Sequence, residues 1–463
     1  MKKISYKNIL KILFVYLIVY IPVALKRFPD IRNEIKYFAI SDNIIASKQF
    51  FVFKYFSELY PDKPPLYFWL LSFFKSNFEN YSFLTILFGS IVPSFIIAIL
   101  LYNLFTKLKD ERFGFLVAIS LVTIPFFIGT SVFLRMDMLM NLFITLSLYY
   151  FFSIYFNLIK NNFFNRAVIY LAIFLAVFTK GVAGVVVPIS IILTYLFLEK
   201  NLSFLKKISF FYGMMFVVLA VGGWFLTVYL QPEGSKYLAL MFNQETVGRI
   251  VKAKTHIKPF YYYFVRLSFL IFPYSIFWYC GIYKYIKDIK NYKNWSEVEK
   301  LGLIWSSVPL ILFSLASGKL DIYMLPLFSG MVLLSLNFVE KLKKEDRYKK
   351  YIFIPIAVVI IFGGVVQATG IYNKYYTLKP IINEIEDSSK IYSYRFDDLR
   401  NIKGLGIDNE IINIGDEKEL KNVLNQEKER SYIVMKSKYK DKVKDISNIK
   451  LKFINKAYCI FEK

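Results

Sequence analysis

The sequence predicts an all-α polytopic membrane protein of about 11–13 transmembrane helices, with helices along its outer face and a small α/β domain outside the membrane. Two observations predict this fold class. First, 56% of the 463 residues are apolar and 19% are aromatic, and the apolar residues lie in blocks long enough to cross a bilayer. Second, the chain after Tyr372 is polar and reads as short strands and a helix. This pattern excludes an ordinary cytosolic enzyme, a disordered scaffold and a disulfide-rich secreted module.

About eleven apolar blocks define the predicted spans. The first block ends at Leu25-Lys26-Arg27 without a small-residue cleavage site, so we expect it to be retained as a membrane span. The run Leu66–Phe74 is too short to cross a bilayer alone. The predicted spans cover residues 9–25, 82–105, 113–130, 132–157, 167–179, 182–198, 208–230, 260–283, 301–316, 321–339 and 351–371.

The distribution of positive charge predicts the orientation. The formal net charge is +25, but most Lys and Arg residues lie in short loops between apolar blocks, which argues against nucleic acid as a partner. With the N-terminus in the cytoplasm, the inside loops hold several cations each, whereas three short outside turns hold one each, Arg135, Lys180 and Lys319. Because positive charge marks the cytoplasmic side, we expect a bacterial inner-membrane protein whose active site and C-terminus are periplasmic.

The predicted organisation is a transmembrane domain over 1–372, with long outer loops at 26–80 and 231–259, and a soluble domain over 373–463. Apolar residues at helical spacing in the first loop predict a membrane-surface helix. No motif distinguishes the soluble domain, and two roles stay open for it, acceptor binding and covering of the site. The predicted elements are a surface helix at Asn33–Ser47, strands at Lys390–Tyr394, Ser431–Lys436 and Leu451–Phe461, and a helix at Asp416–Glu429.

Charged side chains gather in a few places on the predicted outer side. Charged side chains inside the membrane or against its outer face are energetically costly, so each of them suggests a structural or functional role. Lysines and arginines there suit a lipid phosphate, and a nearby carboxylate suits proton transfer. The alternative is structural: single cations act as snorkelling anchors, Arg135 and Asp137 form a local ion pair, and two prolines make a rigid turn. The charged segments are Pro29–Tyr37, Tyr60–Tyr67, Arg135–Asp137, Thr179–Gly181 and Ser317–Tyr323, with His256 in the second long loop.

Six short motifs resemble those of the C-superfamily membrane glycosyltransferases, in the group of the protein O-mannosyltransferases and the lipid A aminoarabinose transferases. They occur in matching order over residues 10–340. Two departures from the family pattern stand out, because Asn33 occupies the place of the first-loop Asp and Lys36 the place of an Arg, which removes a bidentate fork. The matching segments are Asn33-Glu34-Ile35-Lys36-Tyr37, Tyr60-Pro61-Asp62-Lys63-Pro64-Pro65, Asp137, Thr179-Lys180-Gly181, His256 with Pro259-Phe260-Tyr261-Tyr262, and Gly318-Lys319-Leu320-Asp321-Ile322-Tyr323.

The resemblance implies a role for each residue. Glu34 is the first choice for the catalytic carboxylate and Asp30 the second, since Asn33 is not acidic. In the aminoarabinose branch a metal is held by an acidic residue and a histidine, which correspond here to Asp62 and His256. Two protein ligands are fewer than a zinc site usually has. The donor phosphate and sugar are expected to contact Lys36, Lys63, Arg135, Asp137, Lys180, Lys319 and Tyr323.

The implied activity is inverting transfer of a sugar from a polyprenyl-phosphate donor to a lipid, glycan or protein acceptor at the outer face of the membrane. No cofactor is required and a divalent metal is optional. The implied partners are membrane lipid, the lipid-linked sugar and the acceptor. Two alternatives remain, a transporter or flippase for a lipid-linked sugar and, because of Asn33, an inactive partner subunit. A transporter is disfavoured because the charges lie mainly at one face and no repeat is present.

Overall fold

The structure is a computed structural model that describes residues 4–25, 27–31, 33–246 and 256–341, separate positions between 354 and 365, and 369–463 apart from 387–388, 397–398, 400–408, 428 and 444–445. The chain packs into two compact units. The helical unit consists of Met1–Ile21 and Asn43–Phe362, and the sheet unit consists of Pro22–Asp42 and Gly363–Lys463. The sheet unit therefore includes part of the first predicted outer loop in addition to the C-terminal residues.

The first half of the chain is almost entirely helical. Asp110 and Asn162 cap two of these helices, because their side chains accept hydrogen bonds from the amides of Phe113 and Asn165. The elements in this half are α1 (Tyr6–Leu25), α2 (Glu34–Ser47), β1 (Lys54–Tyr55), β2 (Glu58–Leu59), α3 (Leu66–Asn77), α4 (Tyr81–Ile86), a π-helical turn (Leu87–Ile91), α5 (Val92–Leu108), α6 (Glu111–Val122), α7 (Pro125–Ser131), α8 (Asp137–Tyr155), α9 (Phe163–Lys180), α10 (Ala183–Leu198), α11 (Phe204–Lys207) and α12 (Phe210–Tyr229).

The second half contains further helices and then the sheet. Ser296 and Glu299 form a capping box at the start of a long helix. The elements are α13 (Gly234–Leu240), a π-helical turn (Met241–Thr246), α14 (Tyr262–Leu270), α15 (Ser275–Lys287), a 3-10 helix (Ile289–Asn294), α16 (Glu297–Leu315), a 3-10 helix (Asp321–Leu327), α17 (Phe328–Lys341), α18 (Ile371–Tyr376), α19 (Lys379–Glu384), β3 (Lys390–Tyr394), β4 (Ile411–Ile414), α20 (Glu417–Gln426), β5 (Ser431–Lys436), a 3-10 helix (Ser437–Val443), β6 (Lys450–Ile454) and β7 (Tyr458–Glu462).

The helices confirm the predicted fold class of a multi-pass, all-α membrane protein with a small C-terminal α/β part. Within the described residues, seven helices are long and apolar enough to cross a membrane, or eight if the bent pair α6 and α7 is one span. The pair bends by 67° where Pro125 forces Ile124 into an extended conformation. The seven helices are Tyr6–Ala24, Tyr81–Leu108, Asp137–Tyr155, Phe163–Lys180, Phe210–Tyr229, Glu297–Leu315 and Asp321–Lys341.

Three of the predicted spans account for the difference from the expected eleven. The block 182–198 forms a helix, α10, that is shorter than a full span. The block 260–283 is divided into α14 and α15, because Pro273 cannot donate the amide hydrogen bond that a continuous helix needs at that position. The block 351–371 is described only in part, because 351–353, 355–356, 359, 362 and 366–368 lie outside the described residues.

The sheet unit contains five strands in the order β4-β3-β5-β7-β6. The strand β3 is parallel to β4 and β5, whereas β7 is antiparallel to β5 and β6. The predicted single strand Leu451–Phe461 is wrong, since β6 and β7 form a hairpin there. The side chain of Asn455 accepts hydrogen bonds from the amides of Ala457 and Tyr458 and closes its turn.

Two apolar clusters cover the two faces of this sheet. The first-face cluster includes Ile31 and Ile35 from the first loop together with Ile381, Tyr458 and Ile460. The second-face cluster packs α20 on the sheet, and its members include Tyr392, Leu420 and Ile433. The first-loop segment therefore contributes side chains to the core of the sheet unit. The predicted helix Asn33–Ser47 is present as α2, and its position on a membrane surface stays a prediction.

Candidate functional site

The helical unit holds a buried charge cluster, which we call the Asp137 cluster and define as Arg135, Asp137, Lys180 and Tyr323. The Asp137 side chain is 2% exposed and forms ion pairs with Lys180 and with Arg135, whose Nε lies 3.1 Å from Oδ2. The Lys180 ammonium, on a side chain that is 10% exposed, lies 5.2 Å from the centre of the Tyr323 ring. Within this cluster, two cations are therefore held around one buried carboxylate.

The ends of two helices place the pair at the centre of this cluster. Asp137 is the first residue of α8 and Lys180 the last residue of α9, so each charge has the sign that its helix end favours. The two helices pack against each other. Gly181 ends α9 with a φ of 89°, a conformation that favours glycine. Ser90 donates to the carbonyl oxygens of Phe133 and Arg135 and fixes the segment before α8.

A second predicted lysine lies in the turn before Tyr323. Lys319 is buried, and its ammonium donates to the carbonyl oxygens of Ala316 and Lys258. Its backbone amide donates to the carbonyl oxygen of His256 at 3.0 Å. Burial lowers the pKa of the Lys319 ammonium below the usual range of lysine. The structure therefore joins the turn at Lys319 to the segment that carries the lone histidine.

This turn is held by Tyr262, which belongs to one of the matching motifs, and by two residues that the sequence did not single out, Arg266 and Tyr263. Arg266 makes a bidentate ion pair with Asp321, and Tyr262 donates to the same carboxylate at 2.8 Å. The hydroxyl of Tyr263 accepts from the amide of Leu320 and donates to its carbonyl oxygen. The apolar block that contains Arg266 gave no sign of this role, because its partner lies 55 positions away.

Asp62 and Lys63 lie at the same end of the helical unit as the Asp137 cluster. They precede α3, and Trp69 near the start of α3 packs edge-on against Phe178, two residues before Lys180, with the ring centres 5.3 Å apart. The Lys63 ammonium donates to the carbonyl oxygen of Asp62 at 2.9 Å. The rigid double proline that follows begins the helix and fixes the direction of this segment.

The two predicted catalytic carboxylates lie in the sheet unit and differ in their surroundings. The Glu34 side chain is 1% exposed and pairs with Arg27, which is 6% exposed. Both Glu34 oxygens accept from the Arg27 guanidinium, and Oε2 also accepts from the Asp30 amide. Asp30 is half-buried, and its Oδ2 accepts from the amide of Asn33 at 2.9 Å. Glu34 and Asp30 together cap the first turn of α2.

Arg27 and Tyr372 are further members of this group that sequence reasoning missed. Arg27 was interpreted only as the flank of the first span, and nothing in the sequence links it to a carboxylate seven residues later. Tyr372 lies close enough to Arg27, Glu34 and Asp30 for their charges to act on its phenol, and burial raises the pKa of that phenol above its usual range. The predicted phosphate contact Lys36 is half-buried on α2.

The residues predicted to hold a metal do not make a complete site by themselves. Among the described residues, no three His, Cys, Asp or Glu side chains are grouped as a metal ion requires. Asp62 and His256 supply at most two ligands, fewer than a structural or catalytic zinc takes from protein.

Comparison with known proteins gives three kinds of similarity. The family model described as dolichyl-phosphate-mannose-protein mannosyltransferase matches residues 62–226. An uncharacterized protein of Aquifex aeolicus is 28% identical over 79% of this chain and 72% of its own length. An undecaprenyl phosphate-alpha-4-amino-4-deoxy-L-arabinose arabinosyl transferase of Edwardsiella ictaluri is 26% identical over 75% of this chain and 61% of its own length.

The fold is also that of a solved structure. The crystal structure of ArnT from Cupriavidus metallidurans bound to undecaprenyl phosphate superposes with a TM-score of 0.74 at 13% sequence identity, covering 99% of this chain and 98% of that chain. The predicted resemblance is confirmed, since the matching family model is that of a mannosyltransferase and the relative from Edwardsiella ictaluri is an arabinosyl transferase. The alignment spans less than two thirds of the arabinosyl transferase of Edwardsiella ictaluri.

Proposed function

We propose that this chain is an inverting glycosyltransferase that moves a sugar from a polyprenyl-phosphate donor to an acceptor at the outer face of a bacterial inner membrane. The observation that carries the proposal is the Asp137 cluster, in which two cations are held around a buried carboxylate at the same end of the helical unit as Lys63. The fold supports it, because ArnT has this fold and is bound to undecaprenyl phosphate. The acceptor is proposed to be a lipid of the lipid A type, with a glycan or a protein as the alternatives.

The cations act on the leaving group. As the bond between the anomeric carbon and the phosphate oxygen breaks, negative charge develops on the polyprenyl phosphate, and preorganised cations stabilise that charge. Lys63, Lys180 and Lys319 are the proposed cations, with Arg135, Lys36 and the Tyr323 hydroxyl as further phosphate contacts. Asp137 holds Lys180 and Arg135 in place through its ion pairs and contacts the sugar.

A first-loop carboxylate acts on the acceptor. The acceptor hydroxyl oxygen attacks the anomeric carbon from the face opposite the phosphate, the configuration inverts, and the hydroxyl proton passes to the carboxylate. We propose Asp30 for this role ahead of Glu34, which reverses the order given by the motif. Glu34 is almost fully buried and already accepts three hydrogen bonds, whereas Asp30 is half-buried, and a general base must reach the proton it accepts.

The proposed function is tested by sugar transfer with purified protein in lipid vesicles. The donors are undecaprenyl phosphate carrying 4-amino-4-deoxy-L-arabinose and polyprenyl phosphate carrying mannose, and lipid A is the first acceptor. We expect transfer by the wild-type protein and a loss of at least about a hundredfold in Lys63→Ala, because one cation at the leaving phosphate is removed. Lys54→Ala is the matched control, since Lys54 forms a largely solvent-accessible pair with Glu233.

Three results contradict the proposal. Equal transfer by Lys63→Ala and wild type excludes this phosphate site. Movement of the lipid-linked sugar across the vesicle membrane without transfer identifies a flippase. Absence of both transfer and movement with every donor identifies a partner subunit without activity of its own.

The buried lysine gives the reaction a distinctive dependence on pH. Because the pKa of Lys319 is lowered by burial, its ammonium loses its proton at a lower pH than an ordinary lysine. We expect kcat/KM for the donor to fall as the pH rises through this lowered pKa of Lys319. In Lys319→Arg we expect the decrease in kcat/KM to occur at higher pH, because a guanidinium stays protonated. The control Lys236→Arg is expected to leave the pH of this decrease unchanged. An alkaline limb that does not move in Lys319→Arg shows that another group titrates.

A further inference from the structure

The backbone around Asp30 is bound to the C-terminal part of the chain. Asp30 forms an isolated antiparallel bridge with Thr377. The Ile31 amide donates to the Tyr376 carbonyl oxygen at 3.2 Å, and the Phe28 amide donates to Oδ1 of Asn373 at 3.0 Å. The peptide that carries Asp30 is thus fixed on both sides by α18 and the residue that follows it.

A hydrogen-bonded route leads from these contacts to the sheet. The hydroxyl of Tyr458 on β7 donates to the Thr377 carbonyl oxygen at 3.0 Å, and the side-chain amide of Asn455 in the β6–β7 turn donates to the Lys374 carbonyl oxygen. The Thr377 hydroxyl donates to the Asn373 carbonyl oxygen at 2.6 Å. Tyr458 and Thr377 are both fully buried. Buried hydrogen bonds of this kind are costly to leave unmade, so the route resists distortion.

Apolar packing reinforces the same attachment. Ile31 follows Asp30 directly, and Ile35 lies one helical turn later on α2; both belong to the first-face cluster of the sheet. Burial of these side chains keeps the segment on the sheet without a directional contact. Among the residues that the structure describes, none from the first loop belongs to the second-face cluster on the other side of the sheet.

We infer that the small C-terminal domain positions the proposed base Asp30, with Asn373, Thr377 and Tyr458 as positioning residues that act through the backbone of the first loop. This inference rests on the proposed function. A proton acceptor works only within hydrogen-bond reach of the attacking hydroxyl, and a misplacement of about 1 Å lowers the rate up to a hundredfold. This positioning role differs from the two roles that the sequence left open for the domain, acceptor binding and covering of the site.

Two variants of the full-length protein weaken the attachment without touching Asp30. Tyr458→Phe removes one hydroxyl and keeps the ring, and Asn373→Ala removes the acceptor of the Phe28 amide. The matched control is Tyr392→Phe, which removes a tyrosine hydroxyl bonded to Glu427 on the second face of the same sheet. We expect kcat to fall about tenfold in both attachment variants while KM for the lipid-linked donor stays unchanged, and the control to keep both constants.

Amide hydrogen exchange gives a readout that does not depend on activity. Peptides covering residues 27–31 are expected to exchange faster in Tyr458→Phe and Asn373→Ala than in wild type, and at the wild-type rate in Tyr392→Phe. Unchanged exchange in the attachment variants overturns the inference, as does an equal loss of kcat in the control. If the wild-type protein transfers no sugar, the proposed function and the role of Asp30 both fail, whereas faster exchange then still establishes the attachment itself.

Discussion

Asp137→Ala is expected to abolish sugar transfer and to lower the thermal stability of the purified protein sharply. The substitution removes the carboxylate that the buried ammonium of Lys180 pairs with. Breaking a buried ion pair from one side typically costs about 3–5 kcal/mol, because the remaining charge is neither solvated nor paired. The measurements are the midpoint of thermal unfolding in detergent and the rate of transfer in vesicles.

A double variant separates the two effects of this substitution. Asp137→Asn combined with Lys180→Met removes both charges of the buried pair, so we expect it to regain most of the stability that Asp137→Ala loses. Its transfer rate is expected to stay at least about a hundredfold below wild type, because a cation at the leaving phosphate is missing. Full recovery of transfer in the double variant contradicts the role proposed for Lys180.

A second acidic residue serves as the stability control. Asp321 pairs with Arg266, and both side chains are more exposed, at 24% and 40%. Exposed pairs contribute only about 0–1 kcal/mol, so Asp321→Ala is expected to change the unfolding midpoint much less than Asp137→Ala. A drop of equal size in both variants shows that burial of the Asp137 pair is not what makes it important.

Asp30→Asn is expected to lower kcat by about 10²–10⁴-fold while the protein stays folded, since loss of a general base has effects of this size. The asparagine oxygen still accepts the hydrogen bond from the Asn33 amide, so the cap of α2 is kept. Glu58→Gln is the control, because Glu58 is an exposed carboxylate elsewhere in the first predicted outer loop. Kinetics of sugar transfer and the unfolding midpoint are measured on the same preparations.

Glu34→Gln completes the comparison. It removes the negative charge that the nearly buried Arg27 pairs with, so we expect it to reduce both stability and kcat. Adding Arg27→Met is expected to restore stability and part of the rate, which identifies Glu34 as a residue that holds the loop. One outcome refutes the assignment of Asp30 and identifies Glu34 as the base. In that outcome Glu34→Gln loses transfer at unchanged stability, and Asp30→Asn keeps full activity.

Local sequence patterns predicted those strands and helices that are determined by the residues within them. The strands Lys390–Tyr394 and Ser431–Lys436 have the predicted bounds, because both segments contain the aromatic and β-branched residues that are enriched in strands. The hairpin of β6 and β7 was missed because residues 451–461 contain neither Gly nor Pro, and the turn depends instead on the side chain of Asn455. Pro273 was a local signal that would have divided the block 260–283.

The sequence likewise predicted some residues of the candidate site and missed others. The motifs identified Asp137, Lys180 and Tyr323, and the structure brings these residues together with Arg135. They did not identify Arg27 or Arg266, whose importance depends on a carboxylate brought to them by the fold. The roles of all the predicted site residues stay predictions, and substitutions of Glu34, Asp30, Lys63, Asp137, Lys180 and Lys319 test six of them.

The sequence by itself determined that this protein crosses a membrane many times, ends in a small α/β domain and carries charged motifs in a set order, because hydrophobic length, strand propensity and residue spacing are local properties. Only the tertiary structure decided which charges are paired and where the first-loop carboxylates are attached. The attachment of Asp30 to Thr377 joins residues 347 positions apart, and such a pairing depends on packing that no short segment of the chain encodes.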